Sequence, residues 1–424
     1  MAGGSADQPT AEDRSEQPGS TPDKAAAGEP GATQPRGPTA ASSAGEAGGG
    51  GVTQDTAPTA ASTAGEVAAA ESGATGDLVP VAKRAHVVYE DSDEEPEPVT
   101  YLRLGVDYEL TADMEDLHVQ CGRVAVMENL DQAPKLTRIA LIANHIKKLE
   151  GLEANTELEH LEVYQSHIKR IENIAHLTKL ECLDLSFNNI RILQNVGTLV
   201  RLKHLYLPSN KIVEIEGLDN LTELTILELG ANRIREIENI AHLQKLEQLW
   251  LGKNKITSMA LPGPLPALKQ LSLQSNRLTE WDPSLFTHAP ALEHLYLGHN
   301  GLPNVPDSPG MNQLAGLREL DLAGNPITEL PELRLSGLED LWANDCKVES
   351  LEQVEKLALL PALDTVYLER NPLQADAEAY REAIIRHCPK LTQLDADPVV
   401  KPPPGPDLRD YSVKGIVKAV SKFQ

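Results

Sequence analysis

From about residue 117 to residue 371 the chain repeats one short pattern: L-x-x-L-x-L-x-x-N-x-I/L. It reads LECLDLSFNNI, LKHLYLPSNKI, LTILELGANRI, LEQLWLGKNKI and LKQLSLQSNRL in successive copies. The Asn position runs Asn144, Ser166, Asn188, Asn210, Asn232, Asn254, Asn276, Asn300, Asn325, Cys346 and Asn371. Its first six steps are 22 residues each and the later ones are 24, 25, 21 and 25. A degenerate copy with Leu117, Val119, Gly122 and Val124 lies 22 residues earlier, which makes twelve. A fixed period of this length cannot bury its apolar face one unit at a time, so the copies must stack into a solenoid.

Within L-x-L the two leucines point to one side of a strand and the middle residue to the other. Parallel stacking then gives one continuous leucine core and one exposed strand face. At a strand spacing of about 4.8 Å, twelve copies make an arc of roughly 50 Å. The Asn amide both donates and accepts, which suits it to satisfy turn backbone inside the stack. Gly122, Ser166 and Cys346 interrupt that column, so weaker ladders are expected there. The short returns, such as IENIAHLTKL, are expected to be helical or 3₁₀ turns on the convex side. The fold class expected is an α/β solenoid with parallel concave strands and a C-terminal helical cap.

Open solenoid ends need covers. Tyr101 to Leu130 is expected to cover the first. At the other end Tyr380, Ile384, Ile385, Cys388 and Leu391 fall at helical spacing, with Pro389 to stop the helix. The division expected is 1–98 as a disordered acidic tail, 99–373 as the solenoid, 374–398 as the cap and 399–424 as linker and short tail. Residues 1–98 carry 17 Asp/Glu against 5 Lys/Arg and few aromatics, too little apolar surface to offset chain entropy. Residues 401–406 (KPPPGP) read as linker, and Val413, Ile416, Val417 and Val420 share one face of a possible short helix. Ser92, followed by acids, resembles an acidophilic kinase site.

A net charge of −25 argues against nucleic acid and anionic membrane as partners. The start lacks the basic and apolar regions of a signal peptide, and no apolar run has membrane-helix length. Cys121, Cys182, Cys346 and Cys388 are scattered, which fits a reducing compartment. Neither phosphate-loop, dinucleotide, zinc-protease nor nucleophile-elbow motifs occur. His160, His204 and His294 fall on the strand face, but no His has metal-ligand spacing with a Cys. No catalytic, cofactor or metal site is therefore expected.

The middle residues of the strands are Ala140, Glu162, Asp184, Tyr206, Glu228, Trp250, Ser272, Tyr296, Asp321, Trp342 and Tyr367. Five of these eleven are aromatic in a chain whose aromatic content is 4%, and four are acidic. Aromatics anchor interfaces and charges set their register, so this stripe is expected to bind a protein with basic groups and apolar pockets.

The 22-residue unit with Ile-Glu-Asn-Ile returns, LELGANRIREIENI, LWANDCKVES and TVYLERNPLQ with its following segment are similar to one family. They resemble the family of protein phosphatase 1 regulatory subunit 7, the leucine-rich-repeat regulators of the type-1 serine/threonine phosphatase, over about residues 85–398. The resemblance implies a leucine-rich-repeat horseshoe and a nuclear and cytoplasmic regulator, monomeric before binding. It further implies that the phosphatase catalytic subunit is held by Asp184, Tyr206, Glu228, Trp250, Asp321, Asp340, Trp342 and Tyr367. The family pattern favours Phe at Tyr206 and Trp250 and Glu at Asp340. No basic-Val-x-Phe docking motif is present, and KRAHVVY near residue 83 is only loosely similar. A scaffold of axonemal or tubulin-associated type is the alternative, and an RNA-protein assembly factor is disfavoured by the acidic face.

Overall fold

A computed structural model describes residues 100–306 and 310–400. The expected tail at 1–98, Ser92, the linker at 401–406 and the helix around residues 413–420 lie outside the described residues. One sheet of fourteen strands runs in chain order through them. It begins at Asp116–Gln120 and passes through short strands such as Cys182–Asp184, Gln248–Trp250 and Thr365–Tyr367. Neighbours pair in parallel as far as Gln393–Leu394, which the antiparallel strand Asp397–Pro398 closes. The result is a parallel-strand leucine-rich-repeat horseshoe of about eleven turns, the intervals between twelve stacked copies.

Register follows directly from the repeat. Leu161 faces Leu183, then Leu205, Leu227, Leu249 and Leu271, each across one strand boundary. In the turn that starts at Leu161, Val163, Ile168, Ile171, Ile174, Leu177 and Leu180 are all fully buried with it. Each such side chain contributes about 1.5–3 kcal/mol relative to an exposed one. The core is therefore a row of identical layers, and no single layer is stable without its neighbours.

The Asn column stitches the layers together. Asn188 donates to the Val163 carbonyl at 2.7 Å and the Leu185 carbonyl at 3.0 Å, and accepts from the Ile168 amide at 2.9 Å. Asn210, Asn232, Asn254 and Asn276 repeat this arrangement. The interruptions behave differently from one another. The Ser166 hydroxyl is buried without a hydrogen-bond partner. Cys346 keeps a weak substitute, its thiol donating to the Leu322 carbonyl at 3.4 Å.

The returns take the tighter of the two expected forms. Most carry no helix, only single 3₁₀-type turns such as Leu177 amide to Ile174 carbonyl and Leu180 amide to Leu177 carbonyl, each 3.0 Å. A left-handed residue makes the corner, either Gly151 and Gly217 or Asn129, Asn173, Asn195 and Asn239. Those asparagines also donate across the turn, Asn173 to the Leu149 carbonyl at 2.8 Å for example. The longer repeats hold Ser284–His288 and the 3₁₀ segments Met311–Gln313 and Leu351–Leu359, and one 22-residue turn, the first, holds the 3₁₀ segment Leu130–Gln132.

A helix, Ala377–His387, follows the last full turn. Asp376 starts it, its carboxylate accepting from the Glu378 and Ala379 amides, an N-cap. It packs chiefly on the 3₁₀ segment Leu351–Leu359, with Tyr380, Ile384 and Cys388 buried and Ile385 half-buried.

Candidate functional site: the concave sheet face

Two side-chain columns line the exposed strand face. The outer one runs His160, Cys182, His204, Ile226, Gln248, Gln270, His294, Glu319, Asp340, Thr365. The inner one holds the middle residues from Glu162 to Tyr367. All eight residues singled out in the sequence lie in these columns. Asp340 is in the outer column and the other seven in the inner one.

The structure divides them into two groups. Trp250, Trp342 and Tyr367 belong to one aromatic ladder, whose missing member is Tyr296. Trp250 stacks on Tyr296 at 6.0 Å between centroids, Tyr296 on Trp342 at 6.2 Å, and Trp342 meets Tyr367 edge-on at 6.5 Å. Asp184, Tyr206 and Glu228 lie in the preceding turns, where the tilted His204 ring, at 6.3 Å, is the one ring contact of Tyr206 among the described residues.

The ladder steps over alternate strands. Ser272 lies between Trp250 and Tyr296, and Asp321 between Tyr296 and Trp342. Adjacent strands are about 4.8 Å apart, so rings two strands apart meet only by leaning over a small residue between them. Ser272 is consequently 1% exposed and Asp321 8%. This corrects the expectation that the Asp321 side chain faces solvent. Its carboxylate turns inward and accepts from the Ala323 amide at 2.9 Å. Gly298 makes the turn possible, since a β-carbon there would stand 2.6 Å from the Asp321 carboxylate. Asp184 has a related local role, accepting from the Ser186 amide at 2.8 Å and from its hydroxyl.

Tyr296 is also the centre of a polar cluster that sequence spacing alone does not reveal. Its hydroxyl donates to Glu319, 2.5 Å away, and Gln270 reaches the same hydroxyl at 3.4 Å. His294 Nδ1 lies 3.0 Å from the same carboxylate oxygen, off the hydrogen-bonding direction, so the contact is chiefly electrostatic. Contact with Glu319 raises the His294 pKa, and His294 in turn lowers that of Glu319. Burial and the hydrogen bond to Glu319 push the Tyr296 hydroxyl well above its ordinary range.

The remaining acids are less well compensated. Burial raises the carboxyl pKa of Asp184, Glu228, Asp321 and Asp340, and the Asp184 charge raises Glu228 further. Burial pushes the Tyr206 hydroxyl up to about 12. Glu162 has a cation, Arg138, at 2.7 Å. Among the described residues none of those four acids has one. This face is therefore partly desolvated, negative and aromatic. Three or more His, Cys, Asp or Glu grouped to hold a metal do not occur among the described residues. Nor is any described helix long and apolar enough to cross a membrane.

Comparison with known proteins agrees with the repeat. Leucine-rich-repeat family profiles match residues 161–262 and 266–327. Protein phosphatase 1 regulatory subunit 7 of Xenopus tropicalis is 51% identical over 49 residues, covering 12% of this chain and 14% of that protein. Protein phosphatase 1 regulatory subunit SDS22 of Schizosaccharomyces pombe is 39% identical over 69 residues, covering 16% and 21%. The chain thus spans about a fifth or less of the length of these relatives. Among solved structures, a leucine-rich-repeat protein of Leptospira interrogans superimposes with a TM-score of 0.59 at 25% identity, covering 66% of this chain and 72% of that one.

Proposed function

We propose that this leucine-rich-repeat chain, similar in sequence to the protein phosphatase 1 regulatory subunits, is itself a non-catalytic regulatory subunit that takes the phosphatase catalytic subunit on its concave face. The observation that carries this reading is the aromatic ladder Trp250–Tyr296–Trp342–Tyr367 beside acids that have no cation of their own. Large rings preordered by stacking lose little entropy on binding, which suits them to anchor an interface. Asp184, Glu228 and Asp340 are unpaired and partly desolvated. A partner cation would relieve that cost and bind through a charge-assisted contact.

The role of each residue follows from its place. Trp250, Trp342 and Tyr367 present ring area to the partner, with Tyr296 holding the first two in line. Asp340 and Glu228 receive its cations. Asp321 acts mainly beneath the ladder, supporting the rings from below. A pull-down from nuclear and cytoplasmic extract, followed by mass spectrometry, tests the partner class. Recovery of the type-1 phosphatase catalytic subunit with wild type, lost with Trp250→Ala/Trp342→Ala, is the expected result. Equal recovery by both proteins, or a stable complex with a different protein instead, contradicts the reading.

A further inference from the structure

A second surface, away from the aromatic face, has the opposite charge. The residue after each Asn begins a backbone ladder along one edge of the solenoid. The His167, Asn189, Lys211 and Arg233 amides donate at 2.8 Å to the Ile146, Ile168, Ile190 and Ile212 carbonyls. This ladder holds corresponding side chains of successive turns about one strand spacing apart. Beside it Lys147, Lys169 and Arg191 are exposed at one position of successive turns, Arg170 stands next to Lys169, and Lys211 and Arg233 sit on the ladder itself, two positions earlier in their turns. None of these six has an ion-pair partner among the described residues. Lysines elsewhere do, as in Lys179–Glu157, Lys203–Glu181 and Lys245–Glu223. Two adjoining clefts open here, one lined by Lys169, Arg170, Arg191 and Lys211, the other by Lys147, Lys169 and Arg170 together with Glu172. Like charges stacked at this spacing repel, so an uncompensated band on a chain of net charge −25 calls for an anionic occupant.

The chain itself brings one. Leu102 bridges Val124 in parallel, and the His145 amide donates to the Val124 carbonyl at 2.8 Å. Tyr101 therefore occupies the head of this same column. Its ring meets His145 at 5.5 Å, and His145 meets His167 at 5.7 Å. Residues 91–98, DSDEEPEP, immediately precede it with five acids and no base. Extended, eight residues reach roughly 27 Å. From Tyr101 to the Lys211 turn is about 24 Å at five strand spacings. The basic density is also greatest in the turns nearest Tyr101, since the position of Lys148 and Arg170 becomes Glu214 and Glu236 further along.

We propose that the acidic segment 91–98 docks back along this band, covering Lys147, Lys169, Arg170 and Arg191. A free polyanion would be repelled at long range by the net charge. A tethered segment avoids that penalty, because its local concentration is set by the linker. The test uses the full chain. Zero-length carbodiimide coupling followed by mass spectrometry should join acids of 91–98 to Lys147, Lys169 or Lys211 within one molecule. Links to Lys179 or Lys245 should be absent, and all links should fade in high salt. In parallel, Glu-specific proteolysis after Glu94, the one glutamate of the segment not followed by proline, should quicken roughly threefold in Arg170→Glu/Arg191→Glu, and likewise for wild type in high salt. Circular dichroism confirms that this variant keeps its fold. Links spread evenly over all lysines, links formed only between molecules, or cleavage indifferent to the variant and to salt would each overturn the proposal. Capture of a separate acidic peptide without any internal link would overturn it too.

Discussion

The Trp250 and Tyr296 rings stack 6.0 Å apart across the intervening strand, with Ser272 beneath them. Their alignment depends on the smallness of the residue below, so Ser272→Leu should force the rings apart. Overpacking of this kind costs about 1–3 kcal/mol. Tyr296→Ala, which removes both of its stacks, should cost about 0.5–1.5 kcal/mol per ring pair. Urea unfolding followed by circular dichroism measures both. A Ser272→Leu protein as stable as wild type would mean that the rings do not need the space beneath them.

The Asn column makes a stabilising prediction. Ser166 is buried with an unpaired hydroxyl, where Asn188 in the next turn makes four bonds. Ser166→Asn should restore the missing links and gain on the order of 1 kcal/mol. Asn188→Ala should lose on the order of 2 kcal/mol or more, because it orphans buried backbone groups. Thermal melts of the two variants decide it, and a destabilised Ser166→Asn would show that the local backbone cannot accept the larger amide.

How far the sequence carries can be judged on particular residues. Leu161, Leu183 and Leu205 announce their own register, because strand alternation and a 22-residue period leave one arrangement that buries them all. Trp250 and Trp342 are placed on the right face by the same alternation. Ring tilt is not a matter of alternation, so Asp321 reads as exposed when the neighbouring rings in fact cover it. Tyr296 becomes the centre of the ladder for the same reason. The corner residues Asn129, Gly151, Asn173, Asn195, Gly217 and Asn239 also fall 22 residues apart, but only their left-handed backbone angles single them out as a second column. The left-handed residue before the buried Asn was not legible. Gln165, Phe187 and Lys253 occupy it, and only Gly324 gives the usual signal.

The His294–Glu319 contact gives a pH dependence with a definite sign. His294 titrates above its ordinary value of 6.5 in the folded state. The contribution of its charged form is therefore fully present below the unfolded pKa and is lost as pH rises through the folded one. Glu319 is lowered, so its contribution is present above its unfolded pKa and is lost as pH falls through the folded one. The pair is complete between those limits. Glu319→Gln should bring the His294 titration back toward 6.5 or below, read from its ring resonances by NMR. An unchanged titration would mean that Glu319 does not govern it.

At the C-terminal end, Asp395 follows the last parallel strand, in register with Tyr367, and takes up backbone amides of the preceding turn. One oxygen accepts from the Leu368 amide at 2.8 Å and the Glu369 amide at 2.9 Å, and the other accepts from the Tyr380 hydroxyl at 2.8 Å. Asp395→Ala should lower stability by about 1.5–3 kcal/mol, since bonds to a charged acceptor are lost and two amides are orphaned. Tyr380→Phe, which removes only one bond, should cost less. A reversed order in urea unfolding would show that helix docking, rather than the amide bonds, holds this end.

Calorimetric titration of the protein phosphatase 1 catalytic subunit into the full chain tests the central claim most directly. Wild type, Trp250→Ala, Trp342→Ala and Asp340→Lys should be compared with the convex control Lys179→Ala/Lys245→Ala, all checked for fold by circular dichroism. Wild type and the control should both bind. Each tryptophan variant should lose on the order of 2 kcal/mol or more, and Asp340→Lys should weaken binding. Concave variants that bind as tightly as wild type, or a convex control that loses binding equally, would contradict it.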